Sequence, residues 1–326
     1  MSASRASIPA SFFGIAVGLL AFANTWHVGV RLWHLPEGIA QVLTLSGLLV
    51  WAVLLALYAR KWLTQRAEAV AELQHPLQSA FVALVPVSSM LAAMALVPVS
   101  RDAATALFVL ALAAQLGVGL LLNGRMWMGG RPPEFVTPAL YLPSVAQSFV
   151  AATASAAFGW TQLGLLFFGV GLFAWLALES VILQRASLLA TLPAPLRPVL
   201  GVQLAPAVVG GGSWMALTTG LPDMFAWLLL GYGLYQALLL VRLLPWIREQ
   251  AFVPGYWAFS FGVAALPALA MRMAERGATG LVAGLAPALF VAANVVFAVL
   301  IVGTLRLLSM GALLQAVVPQ AAKQGA

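Results

Sequence analysis

The chain has 326 residues, of which 63% are hydrophobic and only 8% charged, with a mean hydropathy of +1.00. A soluble domain is usually about 45–50% apolar and about 25% charged, so a water-soluble fold is excluded and lipid is the solvent for much of the surface. The net charge of +7 lies between apolar runs rather than along a basic stripe, which argues against a nucleic-acid partner, and the lack of cysteine excludes disulfides, thiolate metal sites and cysteine nucleophiles.

Crossing a bilayer takes about 20 apolar residues in a helix, and lipid-embedded backbone must satisfy its own polar groups in helices or a closed barrel. Runs such as LFVLALAAQLGVGLLL do not alternate as barrel strands do, so the expected class is all-α. In chain order the apolar runs predict ten spans, at 9–28, 40–58, 77–97, 103–122, 138–158, 162–183, 199–219, 224–244, 253–273 and 281–307. The first imitates a cleaved leader, with Arg5, an apolar run and the small-x-small Ala21-Phe22-Ala23, but its single charge and its glycine pattern favour an uncleaved span. The second is followed by the longest connection, Arg60 to Pro76, which is expected to prolong its helix. The whole chain, 1–326, reads as a single transmembrane domain with short terminal tails.

Basic residues test the count. Twelve fall on the side holding the N-terminus: Arg5, Arg60, Lys61, Arg66, Arg125, Arg131, Arg185, Arg197, Arg242, Arg248, Arg306 and Lys323. Arg31, Arg101, Arg272 and Arg276 fall opposite, which accounts for all sixteen. Cytoplasmic loops carry the excess, so both termini are expected in the cytoplasm.

Each odd-numbered span carries a helix-disturbing residue soon after entry: Gly14, Pro86, Pro143, Pro206 and Gly262. At about 1.5 Å per residue these lie at similar depth. Proline removes a backbone donor and crowds the preceding turn, and irregular backbone at membrane depth is tolerated where it is buried or lines a water-filled cavity. Five two-helix units follow, and the sorting of the bends onto alternate spans favours a pore among the odd ones. Ser144, Gln147, Ser148 and Ser155 share one arc of the fifth span, making Ser88, Ser144 and Ser148 candidate pore hydroxyls; the competing reading is that small hydroxyl residues hold helices together. The Gly169/Gly171 and Gly231/Gly233 pairs on even spans are read as close-packing points.

The segments HPLQSAFVALVPVSSML, ALYLPSVAQSF, LLFFGVGLFAW, LAPA, LLGYGLYQALLLVRLLPWI and WAFSFGVA together resemble the bacterial TehA proteins of the tellurite-resistance/dicarboxylate-transporter family, which is related to plant slow-type anion channels. The resemblance runs from FFGI to TLRLL. It implies a homotrimer in the bacterial inner membrane, each protomer with its own pore ringed by five inner, odd-numbered helices and five outer, even-numbered ones. It also implies that a phenylalanine of the ninth span blocks the conduit, by motif position Phe261 rather than Phe259, beside Gly262, which leaves room for the ring to swing. Pro267 departs from the family pattern and is expected to add a second bend.

A small-anion channel is the favoured function. Conduction needs binding that is favourable but weak, and no Lys or Arg lies centrally in a span. Arg60, Lys61 and Arg66 at one mouth and Arg272 at the other could concentrate anions. Glu179, Arg242 and Arg306 are expected to form a structural ion cluster, and Arg272 and Glu275 to pair three residues apart. The alternative is a coupled exporter of dicarboxylates or tellurium oxyanions, which would want an acid in mid-span on an odd helix. No cofactor is expected: His27, His34 and His75 sit at span ends or in loops, unsuited to haem, and no Ser/His pair for a membrane protease lies within the membrane.

Overall fold

A computed structural model describes residues 7–314, and among them every regular element is helical. The expected terminal tails, with Arg5 and Lys323, lie outside the described residues. Nine helices among the described residues are long and apolar enough to cross a membrane. The tenth expected span, at 138–158, is not one of them. It divides into a 3-10 turn (Pro138–Tyr141), a π turn (Leu142–Ala146) and α7 (Gln147–Ala157), and its serines, glutamine and prolines dilute its hydropathy.

The nine fall into two kinds. Five are long, unbroken and mostly exposed: α2 (Glu37–Thr64), α6 (Arg101–Trp127), α8 (Thr161–Leu188), α10 (Met224–Ile247) and α12 (Leu281–Ser309). Only 17–33% of their apolar windows is buried, and Leu49, Leu120, Leu166, Phe173, Leu228 and Val295 lie on open apolar faces, as suits contact with lipid. The other four windows are 61–72% buried. These segments and the fifth are irregular at one end. The first runs from a 3-10 turn (Ala10–Phe12) into α1 (Phe13–Trp33). The third is split into α4 (Gln78–Val82) and α5 (Leu84–Leu96). The seventh runs from a 3-10 stretch (Ala194–Leu204) into α9 (Ala205–Leu217), and the ninth from another (Pro254–Phe259) into α11 (Ser260–Glu275).

The change to regular α-helix therefore falls at 13, 84, 147, 205 and 260, within about one helical turn of Gly14, Pro86, Pro143, Pro206 and Gly262. The missing proline donor explains three of these: each breaks the ladder one turn upstream, where a tighter or wider turn replaces it. Pro267, by contrast, sits inside a continuous α11. The Thr25 hydroxyl of α1 donates to the Ala264 carbonyl at 2.9 Å, three residues before that proline, and ties α1 to α11 there.

The buried segments pack on one another in a closed order: α1 on α11, α11 on α9, α9 on α7, α7 on α5, and α5 back on α1. Each exposed helix lies chiefly along the buried segment before it in the chain. Glycine allows two of the closest approaches. A Cβ at Gly18 would lie 2.6 Å from the Ser260 Cβ, and one at Gly262 would lie 2.8 Å from Leu204. Gly18→Ala is expected to cost about 1–3 kcal/mol by forcing α1 off α11, read as a lower midpoint of thermal unfolding in detergent; an unchanged midpoint would mean the approach is looser than described.

The connection prolongs α2 only as far as Thr64. The backbone turns at Gln65, and a separate α3 (Arg66–Gln74) folds back. From α3, Glu72 reaches into the interior. Its Oε2 accepts from Lys61 Nζ at 2.8 Å and Tyr58 at 3.1 Å, its Oε1 accepts from the Ala10 backbone N–H at 2.7 Å, and Lys61 also donates to the Ile8 carbonyl. Both charged side chains are only 5% exposed. This pair pins the start of the first span beneath α3.

Candidate functional site

Two cavities lie end to end among the buried segments. The near one, on the side of the first residues, has a volume of about 360 Å³; the far one has about 510 Å³. All five odd-numbered segments line both: Gly14, Leu84, Ala146, Val202 and Ser260 in the near cavity, and Asn24, Leu91, Thr153, Gly212 and Arg272 in the far one. Phe261 is the single residue lining both, in the first turn of α11. Phe259 instead stacks near Tyr256, and its ring fills the space beside Gly201.

The polar linings differ. The near cavity holds Ser11, Gln78, Gln250 and Ser260, with Glu72 as its charged residue, already bound to Lys61. The far cavity holds Asn24, Thr25, His27, Thr44 and Thr153, with Arg31 and Arg272 and no acidic side chain. Both cavities are mostly apolar, so an ion inside meets hydroxyls, amides and backbone rather than a dense set of opposite charges.

The expected site residues divide between cavity and scaffold. Phe261, Gly14 and Arg272 line cavities; Pro86, Pro143, Pro206 and Gly262 are buried at the bends without lining either. The side of Gly262 that lacks a Cβ is filled by Leu204, so this glycine serves helix contact and does not make room for a swinging ring. Ser88, Ser144 and Ser148 are buried but line neither cavity. The polar arc of the fifth span points outward: Gln147 meets Gly119 of α6, and Ser155 meets Gly164 of α8. Ser88 donates to the Val85 carbonyl, and Ser89 to the same carbonyl while accepting from Trp51 of α2. Ser89 thus links two helices, and Gln147 and Ser155 pack on neighbouring ones, whereas the Ser88 bond stays within its own helix. The second glycine of each Gly-x-Gly pair likewise packs closely, Gly171 on Phe149 and Gly233 on Val208.

The expected charge clusters are replaced by others. Glu179 makes no ion pair with Arg242 or Arg306, which are exposed. Its Oε2 accepts from Tyr141 at 2.6 Å and Trp175 at 2.8 Å, and its Oε1 from Gln203 at 2.8 Å, Tyr232 at 2.8 Å and Gln236 at 3.4 Å. Five neutral donors thus hold one carboxylate and tie the irregular ends of the fifth and seventh segments to α8 and α10. Glu275 pairs not with Arg272 but with Arg31, Nε to Oε1 at 2.8 Å. Lys61 is withdrawn into its pair with Glu72, so of the three near-mouth cations only Arg60 and Arg66 are exposed.

The chain matches a known family over most of its length. The model for the SLAC1 family, voltage-dependent anion channels, matches residues 7–305. The tellurite resistance protein TehA homolog of Haemophilus influenzae is 33% identical over 305 residues, which is 93% of this chain and 92% of that protein. The S-type anion channels SLAH2 and SLAH3 of Arabidopsis thaliana are 23% and 24% identical over 82% and 78% of this chain, and the matched parts make up 53% and 41% of those longer proteins.

Proposed function

The chain belongs to the SLAC1 family of voltage-dependent anion channels, and from that membership we propose that each protomer carries small anions through a conduit closed at rest by Phe261. The membership and the nine apolar helices make it a multi-pass membrane protein related to channels and transporters rather than to enzymes.

One observation carries the reading: two cavities in line, each lined by all five odd-numbered segments, share Phe261 alone. In the proposed arrangement those five form an inner ring, the even helices form an outer ring facing lipid, and the fifth segment is the tenth span. The closed order of contacts among buried segments and the exposure of the long helices support it. Phe261 acts as a steric and dewetting plug. The bends at Gly14, Pro86, Pro143, Pro206 and Gly262 shape the wall, and Arg272 attracts anions at the far mouth. The chain is proposed to be one transmembrane domain over 1–326, with both termini in the cytoplasm of a bacterial cell, assembled as a homotrimer in its inner membrane.

Coupled export of dicarboxylates or tellurium oxyanions is the rival. Proton coupling wants a titratable acid on the path, and the acid that lines a cavity, Glu72, is committed to Lys61, Tyr58 and the Ala10 N–H. Reversal potentials across bilayers containing the purified protein distinguish the two. Passive conduction is expected to follow chloride, nitrate or malate gradients with no response to an imposed pH gradient; accumulation of malate driven by pH would overturn it.

A further inference from the structure

The five long exposed helices share a feature where they end. Each carries an arginine two to five residues before its last helical position: Arg60 in α2, Arg125 in α6, Arg185 in α8, Arg242 in α10 and Arg306 in α12. Contacts with the irregular ends of the buried segments and with α3 place all five ends on the near side. Lys61 reaches Glu72 and the Ile8 carbonyl, Arg125 the Leu73 carbonyl, and Glu179 the Tyr141 hydroxyl. Arg197 lies over the Trp246 ring, and Trp257 donates to the Thr304 hydroxyl at 2.8 Å.

The protein leaves this collar of charge uncompensated. Four of the five arginines are exposed and Arg185 is half-buried. Among the described residues Arg125 bonds to the Leu73 carbonyl, and the other four side chains have no hydrogen-bond or ion-pair partner. The Nε of Arg185 is even closed off from water without a partner. The acids of the near side are used elsewhere. Glu72 and Glu249 pair with Lys61 and Arg197, and Glu179 is ringed by neutral donors. Glu68 and Glu134 belong to α3 and to the connection after α6, not to an outer helix. The far ends of the same helices are the reverse: Glu37 and Asp102 open α2 and α6, Asp223 caps α10, and Arg101 is bonded to the Phe158 carbonyl.

We propose that the near collar is a docking surface for anionic phospholipids, each phosphate seated on a guanidinium with its acyl chains along the helix face beneath. Orienting a chain in the membrane needs basic residues only in the connections. Here the guanidiniums lie within the helix ends, and three or four residues deeper on each helix stands an exposed apolar side chain: Leu57, Leu121, Val181, Leu238 and Val302. That spacing shares one helix face, so a cation sits above hydrocarbon-facing surface, the complement of a phosphate above its chains. A guanidinium takes phosphate oxygens through parallel N–H bonds. A zwitterionic headgroup would bring its own ammonium to a collar with no free acid to receive it, whereas an anionic one adds only attraction. The inference rests on the exposed helices alone and stands whether or not the cavities conduct.

The two ends of α12 provide the test. Leu308 near Arg306 and Leu281 at the far end are both exposed, and the chain has no other cysteine to compete for label. Full-length Leu308→Cys or Leu281→Cys protein, carrying a fluorophore, is reconstituted in equimolar phosphatidylcholine and phosphatidylglycerol, with a nitroxide on the acyl chains of one lipid or the other. At Leu308→Cys, phosphatidylglycerol is expected to quench about threefold or more as effectively as phosphatidylcholine, and at Leu281→Cys the two are expected to quench alike. Adding Arg60→Gln, Arg242→Gln and Arg306→Gln, whose side chains have no protein partner to lose, is expected to bring the near end to the far-end value. The same three positions changed to Lys are expected to keep most of the preference, which separates lost charge from lost fold. Equal quenching at both ends of the otherwise unchanged protein, or a preference that survives the three Gln changes, would overturn the proposal. So would dissociation of an oligomer by those changes with lipid preference intact, since the collar would then join copies of the chain.

Discussion

Phe261→Ala protein is expected to carry anion current about tenfold or more above wild type in planar bilayers, because Phe261 lines both cavities and is proposed to plug and dewet the passage between them. Its removal would join spaces of about 510 and about 360 Å³. The surrounding structure does not collapse into the gap readily. The backbone beside the ring is wedged by Leu204 against Gly262, and Ser260 is bonded to the Trp257 carbonyl at 2.7 Å and packed against Gly18. The same wedge bears on natural opening. With Leu204 filling the space beside Gly262, the proposed opening would need a change in the rotamer of Phe261 or movement of α11 against α9. Unchanged current from Phe261→Ala protein that elutes and unfolds like wild type would remove the plug assignment.

The largest expected loss of stability comes from Glu72→Ala. That change leaves the Lys61 ammonium buried with the Ile8 carbonyl for company, and orphans the Tyr58 hydroxyl and the Ala10 N–H. Breaking a buried ion pair from one side costs about 3–5 kcal/mol, whereas replacing both partners by apolar side chains of similar size is often neutral. The single variant is therefore expected to unfold at markedly lower temperature in detergent, and the double variant Lys61→Met, Glu72→Leu to recover most of the loss. A single variant as stable as wild type would show that water reaches the pair. Conduction is involved as well: Lys61→Met alone would leave Glu72 without its cation on the wall of the near cavity, where a negative charge would repel the proposed cargo.

The membrane class, the positions of the apolar runs and the five bends were legible because each depends on local chemistry. Proline lacks a donor wherever it stands, and the switch to regular helix falls within about a turn of Pro86, Pro143 and Pro206, on one side or the other. What sequence could not supply was direction. Helical spacing puts Ser144, Gln147, Ser148 and Ser155 on one arc, but whether that arc faces a cavity or a neighbour depends on helices distant in the chain, and here Gly119 and Gly164 receive it. Charge pairing failed for the same reason. Arg272 and Glu275 are near in sequence, yet Glu275 finds Arg31 across 244 positions. Glu179 shows a second limit: its partners are tyrosine, tryptophan and glutamine on four segments, uncharged residue types that charge complementarity does not single out. The overlooked signal was the recurrence of Tyr and Gln on the predicted apolar spans, in YLP, GVQLAP and GYGLYQ.

The chain contains no cysteine, so a single one can report access to the path. Gly212 lines the far cavity, and a Cβ there meets nothing within 4 Å. With Gly212→Cys protein in sealed vesicles of known orientation, a membrane-impermeant thiol reagent is expected to label from the far side only. When Phe261→Ala is added, labelling from the near side is expected as well. Near-side labelling with Phe261 still in place, or none from that side after its removal, would contradict a continuous aqueous route interrupted by this ring.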